Sequence, residues 1–181
     1  MTKTFSAVLR GGAASAALLA MIAGPSLAQD ASGEEIVVTA QKRSEAVQKV
    51  PIAVTAFSEQ MVKDLNITST DNIARFVPNL EIGLPSGKGN QPLISIRGVG
   101  LNDFNTNNSG PNGVYVDEVY VSAPSAQTFA VFDLERIEVL KGPQGTLYGR
   151  NATGGAINYI AVKPSEELEA GLRLSAGTFD T

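Results

Sequence analysis

Glycine and proline interrupt this chain so often that many turns and little long helix are expected. Eighteen glycines and nine prolines are spread through 181 residues, and each either favours a turn or removes a backbone donor. The segments left between them are short. Residues 52–57, 93–97, 114–121, 136–140 and 156–162 are rich in β-branched and apolar side chains, the composition of strands. Pro51 opens the first, at the one place where a strand tolerates proline, and Asp117-Glu118 marks a hairpin turn inside the third. Two short helices fit between strands. One follows Ser58 as N-cap over residues 59–65. The other is capped by Ser69 or Thr70, places Ile73, Phe76 and Val77 on one face, and ends before Pro78. Strands and short helices alternate with no long crossover helix. The expected fold is therefore α+β, a small mixed four-stranded sheet with short helices and long loops.

The two ends of the chain differ from this middle. Lys3 and Arg10 precede an apolar stretch at 13–23, Gly24-Pro25 breaks it, and Ser26-Leu27-Ala28 places small residues at a cleavage site. That is the pattern of a secretory signal peptide, and the apolar stretch is too short to span a bilayer stably. The expected organisation is a signal peptide at 1–28, a polar tail at 29–50, a folded domain at 51–164 and a last strand within 165–181. In that strand Leu168, Ala170, Leu172, Leu174 and Ala176 alternate with polar or small residues, as in a half-buried strand. The tail carries one apolar patch, Ile36, Val37, Val38, Thr39 and Ala40, flanked by Glu34-Glu35 and by Gln41-Lys42-Arg43. Such a patch either adds to its own domain as an edge strand or is held for a partner's sheet.

Composition removes whole classes of chemistry. The chain has no His and no Cys, so zinc fingers, iron–sulfur clusters, thiol nucleophiles, Ser-His-Asp triads and disulfides are unavailable. Fourteen Lys and Arg against eighteen Asp and Glu give a net charge of -4. Without a basic block, nucleic acid is not an expected partner. Gly142, Gly145, Gly149, Gly154 and Gly155 fit neither the Walker spacing nor G-x-G-x-x-G, and are read as serving turns and close backbone approach. Asp103, Asn105 and Asn107 alternate like calcium ligands. However, Asn108 stands where a calcium loop needs Gly, and Val114 where it needs its bidentate Glu, so a polar loop is expected. No acid/base pair, metal site or cofactor site follows from the spacing, and no enzyme activity is expected.

The residues from 136 to 160 read RIEVLKGPQGTLYGRNATGGAINYI. Together with DNIARFVPNL at 71–80, ISIRG at 94–98, GVYVD at 113–117 and Lys163-Pro164, they resemble the plug domain of TonB-dependent outer-membrane receptors. The resemblance runs over residues 34–164, and its specificity lies in the joint occurrence of these motifs in order. In one departure Glu118 follows Asp117 where the family has Gly, which puts the type I′ turn in question.

The resemblance implies an outer-membrane active transporter of a Gram-negative bacterium, taking up a siderophore or another large nutrient. The family also carries haem, cobalamin, nickel complexes and oligosaccharides. The plug gates the lumen of a barrel of about 22 strands. On this reading the chain is the N-terminal part of a longer receptor, and 165–181 begins its first transmembrane strand. Residues 29–50 leave no room for an added signalling domain. Ile36, Val37, Val38, Thr39 and Ala40 correspond to the TonB box, which binds the energy-transducing partner TonB. Arg97 and Lys141, at the IRG and KGP positions, and with them Arg136, are the expected polar contacts to the barrel. Ser86, Lys88 and Asn90 in one loop, and Asn102, Asp103, Asn105 and Asn107 in another, are the expected ligand-facing residues. The alternative is a stand-alone periplasmic binding module or a non-functional fragment.

Overall fold

The computed structural model describes residues 36–165 apart from Gly89, Phe104 and Thr106. The signal-peptide reading of 1–28 and the strand expected at 168–176 lie outside the described residues.

A two-stranded ribbon comes first, β1 (Val37–Val38) against β2 (Glu45–Ala46). After a 3₁₀ turn at Val47–Lys49, β3 (Ala53–Ser58) leads directly into α1 (Glu59–Asp64). Ser58 caps α1 as expected, its hydroxyl accepting from the Met61 amide, an arrangement worth about 1 kcal/mol. The helix stops because Asn66 takes φ +50. With Asn66 N–H bonded to Lys63 O and Ile67 N–H to Val62 O, this is a Schellman ending with asparagine in the usual glycine place. The second expected helix is a 3₁₀ segment, Thr70–Arg75. Ile73 is buried on it and Val77 just past its end, whereas Phe76, the residue that ends the segment, is 38% exposed.

Ten strands are assigned among the described residues. β4 (Leu80–Gly83), β5 (Leu93–Ile96) and β6 (Val99–Gly100) make a separate three-stranded antiparallel sheet. β7 (Asn112–Val116), β8 (Val119–Tyr120), β9 (Leu134–Lys141) and β10 (Gly155–Ala161) join β3 in the main sheet, ordered β3-β9-β10-β7-β8. Its β10–β7 pair is parallel and the other pairs are antiparallel. The main sheet thus has five strands where four were expected, the fifth being the short second arm of the hairpin. The strand expected at 93–97 lies outside this sheet. The hairpin keeps its type I′ turn, since Asp117 and Glu118 stand at φ +47 and +68. Asp117 is fixed there by its carboxylate, which accepts the Ala161 amide at 2.8 Å.

The main sheet is covered on both faces. Phe57, Ile137, Val139, Ile157 and Tyr159 point to one side and pack with Val62, Ile73 and Ile96 from α1, the 3₁₀ segment and the small sheet. Leu140, Ala156 and Tyr115 point to the other side, where they meet Val38, Ala40, Val50 and Tyr148. Burying each large side chain of these cores stabilises by about 1.5–3 kcal/mol. β9 lies between β3 and β10, so every one of its central side chains is enclosed. That includes Glu138, which is 0% exposed.

Candidate functional site

Residues 36–50 lie across the second face of the main sheet. Of the two positions open for the apolar patch, the structure shows it paired within its own chain, as β1. Val38 and Ala40 are fully buried against the sheet, while Val37 is 45% exposed. The ribbon register sets Val37 opposite Ala46 and Val38 opposite Glu45, and the Val47 amide donates to Ile36 O at 2.9 Å. Lys42 N–H then closes a turn onto Thr39 O at 2.8 Å, with Lys42 at φ +59.

The segment is fastened at two points. At the first, Glu138 Oε1 accepts the Thr39 amide at 2.7 Å, the Thr39 hydroxyl at 3.2 Å and Arg136 Nε at 2.8 Å. Arg136 Nη2 also donates to the Thr39 hydroxyl at 3.2 Å. Glu138 Oε2 is buried with no hydrogen-bond partner. At the second point, Lys42 Nζ lies 4.8 Å from the centre of the Tyr148 ring and 3.2 Å from Glu118 Oε2. This ion pair is largely solvated and is worth under about 1 kcal/mol.

Aromatic rings floor the second point. Tyr115 meets Tyr148 edge-on at 5.1 Å and Tyr120 at 5.5 Å, and its hydroxyl donates to Tyr148 O at 2.6 Å. Burial first, then the negative charges of Glu138 and Glu118, push the Tyr148 phenol well above its usual range. Tyr115 is raised by burial and by Tyr120. These rings therefore stay neutral and apolar beneath the segment at any ordinary pH.

The expected cationic contacts divide. Arg97 is exposed, adopts φ +54, and its guanidinium lies 3.5 Å from where a Gly142 Cβ would stand. Gly142 directly follows Lys141, so the IRG and KGP motifs converge on one surface. Lys141 Nζ donates to Thr55 Oγ1 at 3.0 Å. None of the ion pairs among the described residues engages Arg97 or Lys141. Arg136 sits differently from the other two. Its side chain is only 13% exposed and pairs within the domain, with Glu138 and Glu135, because its strand neighbours present carboxylates on both sides. Arg136 is therefore committed to the clamp on Thr39.

The two expected ligand loops touch each other. Gln91 Nε2 donates to Asp103 O at 3.3 Å. Asp103 Oδ1 accepts the Asn105 amide at 2.9 Å, Asn105 Oδ1 the Asn107 amide at 3.0 Å, and Asp103 Oδ2 the Asn108 side-chain amide at 2.5 Å. The loop's side-chain oxygens thus bind its own nitrogens, the behaviour of successive Asx turns. Ser86 O holds the Asn90 side chain at 2.6 Å. Asn102 borders an open groove of about 470 Å³ over the small sheet, with Ile82, Leu93 and Leu101 as its apolar lining and Glu81 and Ser95 as polar points. Lys88 lines a different groove, beside Asp71 and Thr128.

Glu138 and Tyr148 were not singled out from sequence. The available signal was a lone acid inside the run Ile137, Glu138, Val139, Leu140. A strand apolar on both faces is a central strand, and an acid within it must find donors.

Comparison with known proteins agrees with this geometry. Residues 46–156 match the family model described as TonB-dependent Receptor Plug Domain. The pesticin receptor of Yersinia pestis is 32% identical over 168 residues, which cover 91% of this chain and 23% of that protein. The vitamin B12 transporter BtuB of Vibrio vulnificus is 27% identical over 158 residues, 81% of this chain and 24% of that one. Among solved structures, the ferric yersiniabactin uptake receptor FyuA from Yersinia pestis superposes with a TM-score of 0.56 at 34% identity, over 64% of this chain and 18% of that one. The chain spans about a quarter of the length of these curated relatives.

Proposed function

The chain belongs to the plug-domain family of TonB-dependent receptors, and from that premise we propose that residues 51–164 are the plug, and residues 36–40 the coupling strand, of an outer-membrane active transporter. One observation carries this reading. Among the described residues β1 pairs only with β2 and is joined to the main sheet by side-chain contacts, not by a ladder. It can leave without unpairing β3, β9 or β10, and the plug itself stays folded as the strand is drawn away.

Once free, an extended Ile36-Val37-Val38-Thr39-Ala40 can add to the edge of a TonB sheet, with main-chain hydrogen bonds supplying affinity. Force on that strand reaches the domain through the 42–52 connection and strains the plug within its barrel. Arg97 and Lys141 present adjacent cations to acids of the barrel wall, and polar contacts of this kind in a wet lumen permit movement. The loops around Ser86, Lys88 and Asn90 and around Asn102, Asp103, Asn105 and Asn107 face the incoming ligand, with the groove beside Asn102 as a landing surface. Its relatives, a ferric yersiniabactin uptake receptor and a vitamin B12 transporter among them, support a large chelated nutrient as cargo.

The test is a peptide of residues 34–43 titrated with the periplasmic domain of TonB. The wild-type peptide is expected to bind. Its Val38→Pro form is expected not to, because proline removes a ladder donor and fixes φ. Equal affinity of the two peptides would overturn the reading.

A further inference from the structure

Antiparallel pairing fixes which main-chain groups of β1 are available to a partner. Successive residues of such a strand alternate, one turning its N–H and C=O toward the paired strand and the next turning them to the opposite edge. The Val47 amide bonds to Ile36 O, so Ile36 and Val38 spend their groups on β2. Val37 and the Thr39 amide then face the other edge, the one open to an added strand, while Thr39 O is held by the Lys42 amide in the turn. On that edge the Thr39 amide is already taken, by Glu138 Oε1 at 2.7 Å.

We propose that Glu138 is an internal competitor for the coupling strand: its buried carboxylate occupies the Thr39 amide that a partner strand must use, and so sets how readily residues 36–40 are surrendered to TonB. The proposal rests on the reading of 36–40 as the coupling strand and adds the group that withholds it.

Three further features fit a latch better than a simple structural anchor. The carboxylate reaches a main-chain group, so it holds the strand by the same bond type that β-augmentation would offer in exchange. Arg136 grips the same residue from its hydroxyl side while pairing with Glu138, so acid and base form a preset pocket one residue wide. Glu138 Oε2 stays unpartnered with the strand docked, which leaves the carboxylate less than fully satisfied in the closed state. Charge-assisted bonds to a backbone amide are about twice as strong as neutral ones. The latch is thus firm enough to hold, yet it is one contact cluster that a single pull can break. Val38 and Ala40 add buried apolar contact to the docked strand.

The experiment follows amide hydrogen exchange of the full chain by NMR, comparing Thr39 with the core amides of Ile157 and Tyr159. Glu138→Gln, which keeps the shape and removes the charge, is expected to speed exchange at Thr39 about tenfold and leave Ile157 and Tyr159 protected. If Glu138→Gln loosens the core amides as well, Glu138→Asp decides. It keeps the charge beside Arg136 but withdraws the oxygen by about 1.5 Å, and it is expected to release Thr39 alone. Unchanged Thr39 exchange in a variant with a protected core overturns the latch.

A second arm uses the periplasmic domain of TonB. Docking of the strand lowers apparent affinity by the fraction that is free. The 34–43 peptide is therefore expected to bind at least tenfold more tightly than the full chain, and Glu138→Gln in the full chain to close most of that gap. A peptide that fails to bind sinks the coupling-strand reading, and the exchange data still judge the latch. A peptide and a wild-type full chain of equal affinity sink the latch and leave the coupling strand standing.

Discussion

Gly155 stands so close to Leu140 that a Cβ at position 155 would lie 2.3 Å from the Leu140 carbonyl oxygen. The same Cβ would meet Ile96 Cδ1 at 2.8 Å, and Ile96 belongs to the small sheet. At the point where β10 begins the two sheets therefore come close together, and only hydrogen fits there. Gly155→Ala is expected to destabilise by about 2–3 kcal/mol, because backbone and a fully buried side chain must both move. Urea denaturation checks it: the midpoint falls while the slope stays at the wild-type value.

Glu118 occupies a position that asks for glycine. At φ +68 a side chain with a Cβ is held in the left-handed region, at a cost of about 1–2 kcal/mol. What Glu118 gains in return is an exposed ion pair with Lys42, worth under about 1 kcal/mol. Glu118→Gly is accordingly expected to raise stability by up to about 1 kcal/mol, read as a higher melting temperature. In the same variant Lys42 loses one of its two partners, so trypsin is expected to cut after Lys42 or Arg43 sooner than in the wild type.

Arg97 presents the same strain without an ion pair among the described residues. Its φ of +54 and its exposed guanidinium, unpaired among the described residues, offer the isolated domain little. Arg97→Gly is expected to leave thermal stability unchanged or up to about 1 kcal/mol higher, since relief of φ strain offsets the entropy of glycine. In a receptor carrying this plug, nutrient uptake is expected to fall despite intact folding. A residue retained for the domain's own stability would show the reverse, a clear drop in melting temperature.

Much of this could be seen in the residues before any coordinates. The Ser58 cap, the hairpin at Asp117, and strands β3, β9 and β10 followed from period-two patterning and turn chemistry, both local signals. Three things did not follow. The assignment of Leu93, Ile94, Ser95 and Ile96 to a second sheet depends on which strands meet, and alternation alone does not carry that information. Leu80 and Ile82 form a strand just after a proline, in a stretch too brief to stand out. The fate of residues 36–40 was open, because an isolated apolar patch reads the same whether docked or free. What decided it was a long-range contact between Thr39 and Glu138, 99 positions apart, which no window of sequence contains. The burial of Glu138 is hidden for the same reason, since it depends on both faces of β9 being covered by segments distant in sequence.

The tyrosines provide a pH test of how tightly the two faces are closed. Tyr115, Tyr148 and Tyr159 are three of the chain's four tyrosines, and burial raises the phenol of each above its usual value. For Tyr159, which is 1% exposed, the charge of Asp71 adds to the shift and a hydrogen bond with Thr70 opposes it. A phenol held neutral in the folded chain, but free to ionise near pH 10 once unfolded, stabilises the fold in full below about pH 10. Above that, the unfolded state gives up protons that the folded state keeps, and stability falls as pH rises toward the raised folded value. Stability is therefore expected to be insensitive to these groups from neutral pH to about 9, and to decline beyond about 10. Tyr159 alone accounts for a slope of up to about 1.4 kcal/mol per pH unit. Urea midpoints measured at intervals through this range check the decline. In Tyr159→Phe the slope should be shallower by that one group's share. An equal slope in the two proteins would mean that water reaches Tyr159 before the sheet opens.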